Sequence, residues 1–322
     1  MTGTTQSGSP PPTARARSDV TQEIRLAVVL NGGVSLAVWM SGVALELNRL
    51  VQASRRRGTV ERAPDAYADL LDVLQADARI DVIAGTSAGG INGGFLALGL
   101  VHGCDLTGLR DLWQTSGSLS TLLRNPRQKG QPSVLRGEYF HGELARAYAR
   151  IWPDRTGVPA AEGEDVDLFL TGTLWEGRRS FFADDMGRRI TEVDYDATFH
   201  FTSDPEVVTA TAASTDRGDL LSQAVTSQLA VASRCTASFP AAFEPFAVTI
   251  DDATVQLPDG RWPSDAGRAN FQRSQFVIDG GILRNKPIRP AIEAVYKQPA
   301  DQQVRRILAL SLIHISEPTR RS

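Results

Sequence analysis

The sequence predicts an α/β fold: a mainly parallel central sheet covered by helices on both faces. Three observations carry that expectation. Apolar, strand-like runs stop abruptly at small-residue turns, at Asn31-Gly32-Gly33, at Gly85-Thr86-Ser87 and at Asp279-Gly280-Gly281. The first two turns lead straight into helix-like sequence. Over the first hundred residues the order reads strand, helix, helix, strand, helix, the alternation of a parallel sheet with helical crossovers. The 322 residues are 42% hydrophobic and 22% charged, enough for one large domain or two small ones. A formal charge of −3 gives no reason to expect a nucleic acid as partner. Cys104 and Cys235 have no paired spacing, so neither a disulfide framework nor a metal site is expected, and a reducing compartment is the default.

Residues 1–22 are rich in Gly, Ser, Thr and Pro and contain no apolar run; they read as a disordered arm rather than a secretory signal. Ile24 to Leu30 reads as a buried strand, and Ser35 to Val51 as a helix with Leu36, Val43, Leu47 and Leu50 on its apolar stripe. Leu26 to Leu45 is a 20-residue stretch without charge, long enough to span a membrane. Asn31-Gly32-Gly33 would break a helix at its middle, however, and β-branched residues crowd before that break, so strand, turn and helix explain it better. The run Arg55-Arg56-Arg57 with Gly58 suits a helix C-terminus. Pro64 opens a second helix to about Ala76, Ile80 to Ala84 is the next buried strand, and a helix runs from Ser87 to about Leu100.

Residues 105–155 look mainly helical, Gly137 to Trp152 most clearly. Strands are expected from Asp165 and from Ala197, an amphipathic helix from Leu220 to Arg234, a strand from Ser274 into the turn at Gly281, and a helix from Pro287 to Lys297 with proline at its start. There is no internal repeat. Arg305 to Leu310 begins like a strand, but Leu310 to Arg320, LSLIHISEPTR, reads as a translated DNA-library adapter. The expected organisation is therefore an arm at 1–22, one domain at 23–309 cut short at its C-terminal end, and a foreign tail at 310–322.

Gly85-Thr86-Ser87-Ala88-Gly89 fits G-x-S-x-G in the context that gives the pattern meaning, with a strand before and a helix after. Such a turn holds the serine in a strained conformation, needs small neighbours, and points Oγ out from the end of the strand. The helix that begins there lends partial positive charge where an oxyanion would form. The plainer alternative is a glycine turn that only packs a helix on a sheet. A serine hydroxyl also needs a base. His102, His141 and His200 are poorly placed by sequence for a Ser-His-Asp triad, and His314 lies in the tail. Asp279 stands at the end of a buried strand, topographically like Ser87, and a carboxylate in a dry pocket gains proton affinity. The alternative there is a simple Asp-Gly turn, as at Asp259-Gly260. Consecutive N–H groups after Asn31 can form an anion-binding nest; the loop lacks G-K-[ST] and G-x-G-x-x-G and is no nucleotide loop.

These residues together resemble the patatin-like phospholipase family. NGGVSLAVW matches its glycine-rich anion loop, GTSAGG its nucleophile elbow, DGG its aspartate motif, and SRCTASFPAAFEP, Ser233 to Pro245, its arginine and Ser-x-Pro segment. The four occur in order from Leu26 to about Lys297. The sequence is most similar to the N-terminal part of large bacterial patatin-related proteins.

The resemblance implies a three-layer architecture and a Ser-Asp dyad without histidine or cofactor, hydrolysing acyl esters of lipids. Ser87 is then the nucleophile and Asp279 the general base. Gly32, Gly33, Val34 and Ala88 supply the oxyanion hole, with Gly85, Gly89, Gly280 and Gly281 as motif glycines. The anion loop departs from D-G-G-G-x-[RK]-G: Asn31 replaces the aspartate, Val34 the third glycine, Leu36 the basic residue and Ala37 the last glycine. Losing that basic residue points to weaker activity or to a neutral lipid. The expectation is a phospholipase A-like lipid acyl hydrolase acting through an acyl-serine, cytoplasmic with peripheral contact to a membrane. The alternatives are a serine esterase or thioesterase on soluble esters, or a silent lipid-binding module.

Overall fold

The computed structural model describes residues 22–56, 65–152, 165–204, 206–208, 217–300 and 303–311. The arm expected at 1–22 (apart from Gln22), the helix signals at Arg57, Gly58 and Pro64, and residues 312–322 of the tail lie outside the described residues.

Strand β1 (Gln22–Leu30) is nearly continuous in apolar character from Leu26 and stops where Asn31-Gly32-Gly33 turns the chain. A 3₁₀ turn at Val34–Leu36 then leads into α1 (Ala37–Arg56), which ends with two arginines in its last turn, as its C-terminal dipole favours. The uncharged stretch is thus a strand, a turn and a helix. By length and composition alone, Val34–Arg55 could cross a membrane; here Met40, Ala44 and Val51 are buried and α1 packs on the elbow helix. Asp65 caps α2 (Ala66–Leu74) through the N–H groups of Tyr67 and Ala68, and Gln75, with φ of 49°, closes it in the left-handed region. That reversal starts β2 (Ala76–Thr86) at once, four residues before the expected Ile80, because Ala76 pairs directly with Gln22 of β1.

Helix α3 (Ala88–His102) follows β2. Of the segment expected to be mainly helical, the described residues 105–152 are less helical than expected. Short turns at Leu109–Asp111 and Leu119–Leu122 flank a π-turn at Leu112–Ser116, a bridge joins Leu123 to Leu135, and only α4 (Gly137–Ile151) is a full helix. Then come β3 (Asp167–Ala183), β4 (Arg189–Thr202), α5 (Val225–Thr236), β5 (Phe246–Val248), β6 (Trp262–Ser264), β7 (Gly267–Ala269), β8 (Gln275–Asp279), α6 (Ile288–Val295) and β9 (Val304–Leu310). Helix α5 begins five residues later than Leu220 because the Leu220 N–H is given to Thr202 O of β4; that backbone is committed to the sheet.

The sheet runs β6-β7-β4-β3-β2-β1-β9, with β8 and β5 added beside β3. Its parallel core is β9-β1-β2-β3, and the remaining pairings are antiparallel. The edge strand expected at Arg305 pairs along β1 from Glu23 to Val29. Alternation divides the strands between two faces. Val28, Leu30, Ile83, Leu168 and Leu170 face the main core with α1, α3, α4 and α5. Ala27, Val29, Val82, Ala84 and Phe169 pack against Ala291 and Ala294 of α6. Helices therefore cover both faces, as the sequence predicts.

One junction in the sheet decides the site. Strand β2 pairs with β3 as far as Thr86 opposite Thr171, and β8 then occupies the same edge of β3, with Asp279 opposite Gly172. The carboxyl ends of β2 and β8 meet head to head at adjacent registers.

Candidate active site

Ser87 follows Thr86 with φ 54° and ψ −128°, one of three non-glycine residues among those described with positive φ. The strain is held by close packing. A Cβ on Gly85 would lie 2.6 Å from Gly90 Cα, and one on Gly89 would lie 2.2 Å from Leu30 O, so elbow, helix and β1 can approach only as glycines. The Ser87 N–H donates to Thr236 Oγ1 at 2.8 Å, and Thr236 Oγ1 donates to Thr171 O at 2.6 Å. The end of α5 therefore fixes the elbow to β3.

Ser87 Oγ donates to Asp279 Oδ2 at 2.7 Å. Asp279 is 2% exposed. Its other oxygen accepts Gly281 N–H at 2.6 Å, its own N–H goes to Ser238 O at 3.0 Å, and Thr173 Oγ1 donates to its carbonyl at 3.0 Å. Burial pushes the Asp279 carboxyl above its ordinary value, while the donations from Ser87 and Gly281 pull it back. A Cβ on Gly280 would lie 2.4 Å from Thr171 O, so this turn too must be glycine to press against β3.

Ser87 lies at the amino end of α3, and Ala88 is its first residue. The anion loop sits opposite: Gly32, Gly33, Val34, Ser87, Ala88, Asp279 and Gly281 all line one cavity of about 500 Å³. The Gly32 N–H is already donated to Asn285 O at 3.3 Å. Of the four residues expected to stabilise an oxyanion, Gly33, Val34 and Ala88 remain as donors. Asn31 is buried; its side chain donates to Ser311 O and its N–H to Ser311 Oγ, each at 2.9 Å. Leu36, at the position of the basic residue, packs on the core.

The rest of the cavity is mostly apolar: Ile91, Trp113, Leu119, Leu122, Leu135, Phe140, Phe239 and Phe243 among others, with Asn285 polar and Asp279 the one ionisable group in the lining. No histidine lines it. His102 Nε2 lies 2.7 Å from Leu220 O, His141 packs on Phe246, and His200 Nε2 lies 2.7 Å from Asp167 Oδ1. The structure brings Ser87 and Asp279 together and leaves all three elsewhere. Among the described residues, no cluster of three or more His, Cys, Asp or Glu side chains is arranged to hold a metal ion.

The Ser233 to Pro245 segment braces the site, a role its sequence does not show. Arg234 is fully buried; it donates to Gly137 O, Ser238 Oγ and Glu244 O and pairs with Glu244 at 3.2 Å. It anchors the turn that offers Ser238 O to Asp279. Thr236 and Asn285 were missed. Thr236 lies inside the Ser233 to Pro245 segment, but nothing there marks its hydroxyl as a partner of Ser87; Asn285 had only its position, four residues past the Asp-Gly-Gly turn.

Two comparisons with known proteins bear on the family of this chain. A family model described as patatin-like phospholipase matches residues 28–292. An uncharacterized membrane protein of Mycobacterium tuberculosis is 38% identical over 310 residues, covering 90% of this chain and 27% of that protein. The chain thus spans little more than a quarter of that relative's length. With the match extending from the last residues of β1 into α6, the chain belongs to the patatin-like phospholipase family.

Proposed function

We propose that this chain is a lipid acyl hydrolase in which Ser87 and Asp279 form the catalytic dyad. The observation that carries the reading is the 2.7 Å bond from Ser87 Oγ to Asp279 at a cavity of about 500 Å³ whose other walls, Asn285 apart, are apolar. A cavity of that size and character suits an acyl chain better than a polar substrate.

Asp279 accepts the Ser87 proton as Oγ attacks the ester carbonyl carbon. The N–H groups of Gly33, Val34 and Ala88, with the α3 dipole, stabilise the tetrahedral oxyanion. Collapse breaks the ester C–O bond, and the proton passes from Asp279 to the departing alcohol, leaving acyl-Ser87. Water then gives its proton to Asp279 as it attacks the acyl carbon. The second collapse returns that proton to Ser87 Oγ and releases the fatty acid. Leu36 in place of a basic residue removes a charge beside the loop and favours a neutral lipid. The membrane-protein name of the relative supports peripheral contact of this domain with a bilayer.

The test is fluorophosphonate labelling with the modified residue located by mass spectrometry. Label on Ser87, lost in Ser87→Ala, is the expected result. A folded protein that takes no label, and that binds lipid equally well as Ser87→Ala, would replace the enzyme with a silent lipid-binding module.

A further inference from the structure

Strands β3 and β4 continue well past the rest of the sheet. The last position of β3 level with β2 is Thr171, and the ribbon beyond it leaves the sheet at the end where Ser87 and Asp279 lie. Gly177, in the left-handed region with φ 68°, sits in the register shift between Thr173 and Arg178; a Cβ there would lie 2.7 Å from Val193 Cγ1. Beyond it, Arg178 to Ala183 pairs only with Arg189 to Asp194, closed by a turn at Asp184–Arg188. Such a two-stranded ribbon has no core of its own.

Its two faces differ. Register puts Arg179, Phe181 and Ala183 on one face with Val193, Thr191 and Arg189. That face carries two arginines and no acid. The Arg189 guanidinium lies 3.6 Å over the Phe181 ring, and Phe181 is 53% exposed. On the opposite face Arg178 is paired with Asp194, beside Glu192. At the tip, Met186 is 82% exposed. The tip turn also holds Asp184, paired with Arg188, and Asp185. Cationic side chains around an exposed aromatic, with an exposed methionine beyond them, are a composition that binds at an anionic lipid interface.

We propose that the Arg179–Phe181–Arg189 face of the β3–β4 ribbon is a docking surface for anionic membranes, with Phe181 and Met186 entering the headgroup region. The proposal deepens the peripheral contact proposed above and rests on that reading for its purpose. Its test does not depend on turnover. Binding of the Ser87→Ala protein to phosphatidylglycerol-containing vesicles is compared with binding to pure phosphatidylcholine vesicles by co-sedimentation. The expected result is binding to the anionic vesicles, weakened about 25-fold by R179Q/R189Q, at about fivefold per arginine near a charged surface, and weakened also by Phe181→Ser. Thermal melting shows that each variant is folded; should R179Q/R189Q not fold, Phe181→Ser and Met186→Ser carry the test. Equal binding by the folded variants overturns the proposal. So does a change confined to self-association, seen by sedimentation velocity, since the face would then meet a second copy. Failure of Ser87 labelling with vesicle binding intact would remove the hydrolase and leave the docking surface.

Discussion

Asp279→Asn tests the proposed general base. The substitution keeps size and shape, so the site's packing against Thr171 and Ser238 is undisturbed. The Gly281 N–H, 2.6 Å from Oδ1, needs an acceptor and so orients the amide oxygen toward itself. The amide NH₂ then faces Ser87 Oγ at the position now 2.7 Å away, and the serine receives a hydrogen bond where it formerly donated one. No group is left to take its proton. Loss of a positioned general base costs about 10²–10⁴-fold in rate, roughly 3–5 kcal/mol on the barrier. The assay is the steady-state rate on a p-nitrophenyl ester across pH, with circular dichroism to show the fold intact. In the parent protein, activity falls as pH drops through the Asp279 pKa, and burial places that limb above the ordinary 3.8. The folded state holds this proton more tightly than the unfolded chain. This group therefore favours the fold at low pH, a contribution lost as pH rises, so its protonation does not unfold the protein. In Asp279→Asn the limb disappears with the activity. Full turnover by the folded variant would refute the dyad, as would an acid limb that vanishes on changing His102, His141 or His200.

Further outcomes follow from other contacts. Thr236→Val removes the acceptor for Ser87 N–H and is expected to lower kcat and to cost about 1–3 kcal/mol in urea unfolding, with Thr236→Ser restoring both. Ser87→Gly should be about 1 kcal/mol more stable than Ser87→Ala, since both lack Oγ and only glycine is unstrained at φ 54°; equal melting would show the elbow to be relaxed. Gly89→Ala drives a Cβ to 2.2 Å from Leu30 O, beyond the roughly 1–3 kcal/mol of ordinary overpacking, and should give no folded protein. His200→Ala should keep Ser87 labelling yet lose about 3 kcal/mol, because His200 stands between Asp167 at 2.7 Å and Asp259 at 3.5 Å. Burial opposes it, but the His200 contact carries Asp259 down to about 2. The stability from that carboxylate is present above its unfolded value and is lost as pH falls toward 2, which urea titrations at several pH values would read.

The features legible in the sequence are local. Runs of buried strand residues, the glycines after them and the helix that follows Ser87 are each written in a few adjacent positions, because strained turns and tight helix-to-strand packing admit few residue types. Those same signals placed Ser87 and Asp279 at strand ends and left the histidines poorly placed for a triad. The β3–β4 ribbon was not legible: Glu176 to Asp196 is charged and exposed on both faces, so no apolar alternation marks it. Nor were α5's late start or the loss of Gly32 as a donor, since both turn on hydrogen bonds to partners far away in the chain, Thr202 and Asn285. That Ser87 and Asp279, 192 positions apart, share a hydrogen bond is set by the assembled sheet. They do so because β2 and β8 end against neighbouring residues of β3. Strand pairing is a long-range choice, made by the whole sheet and its two cores, and no residue near either partner encodes it.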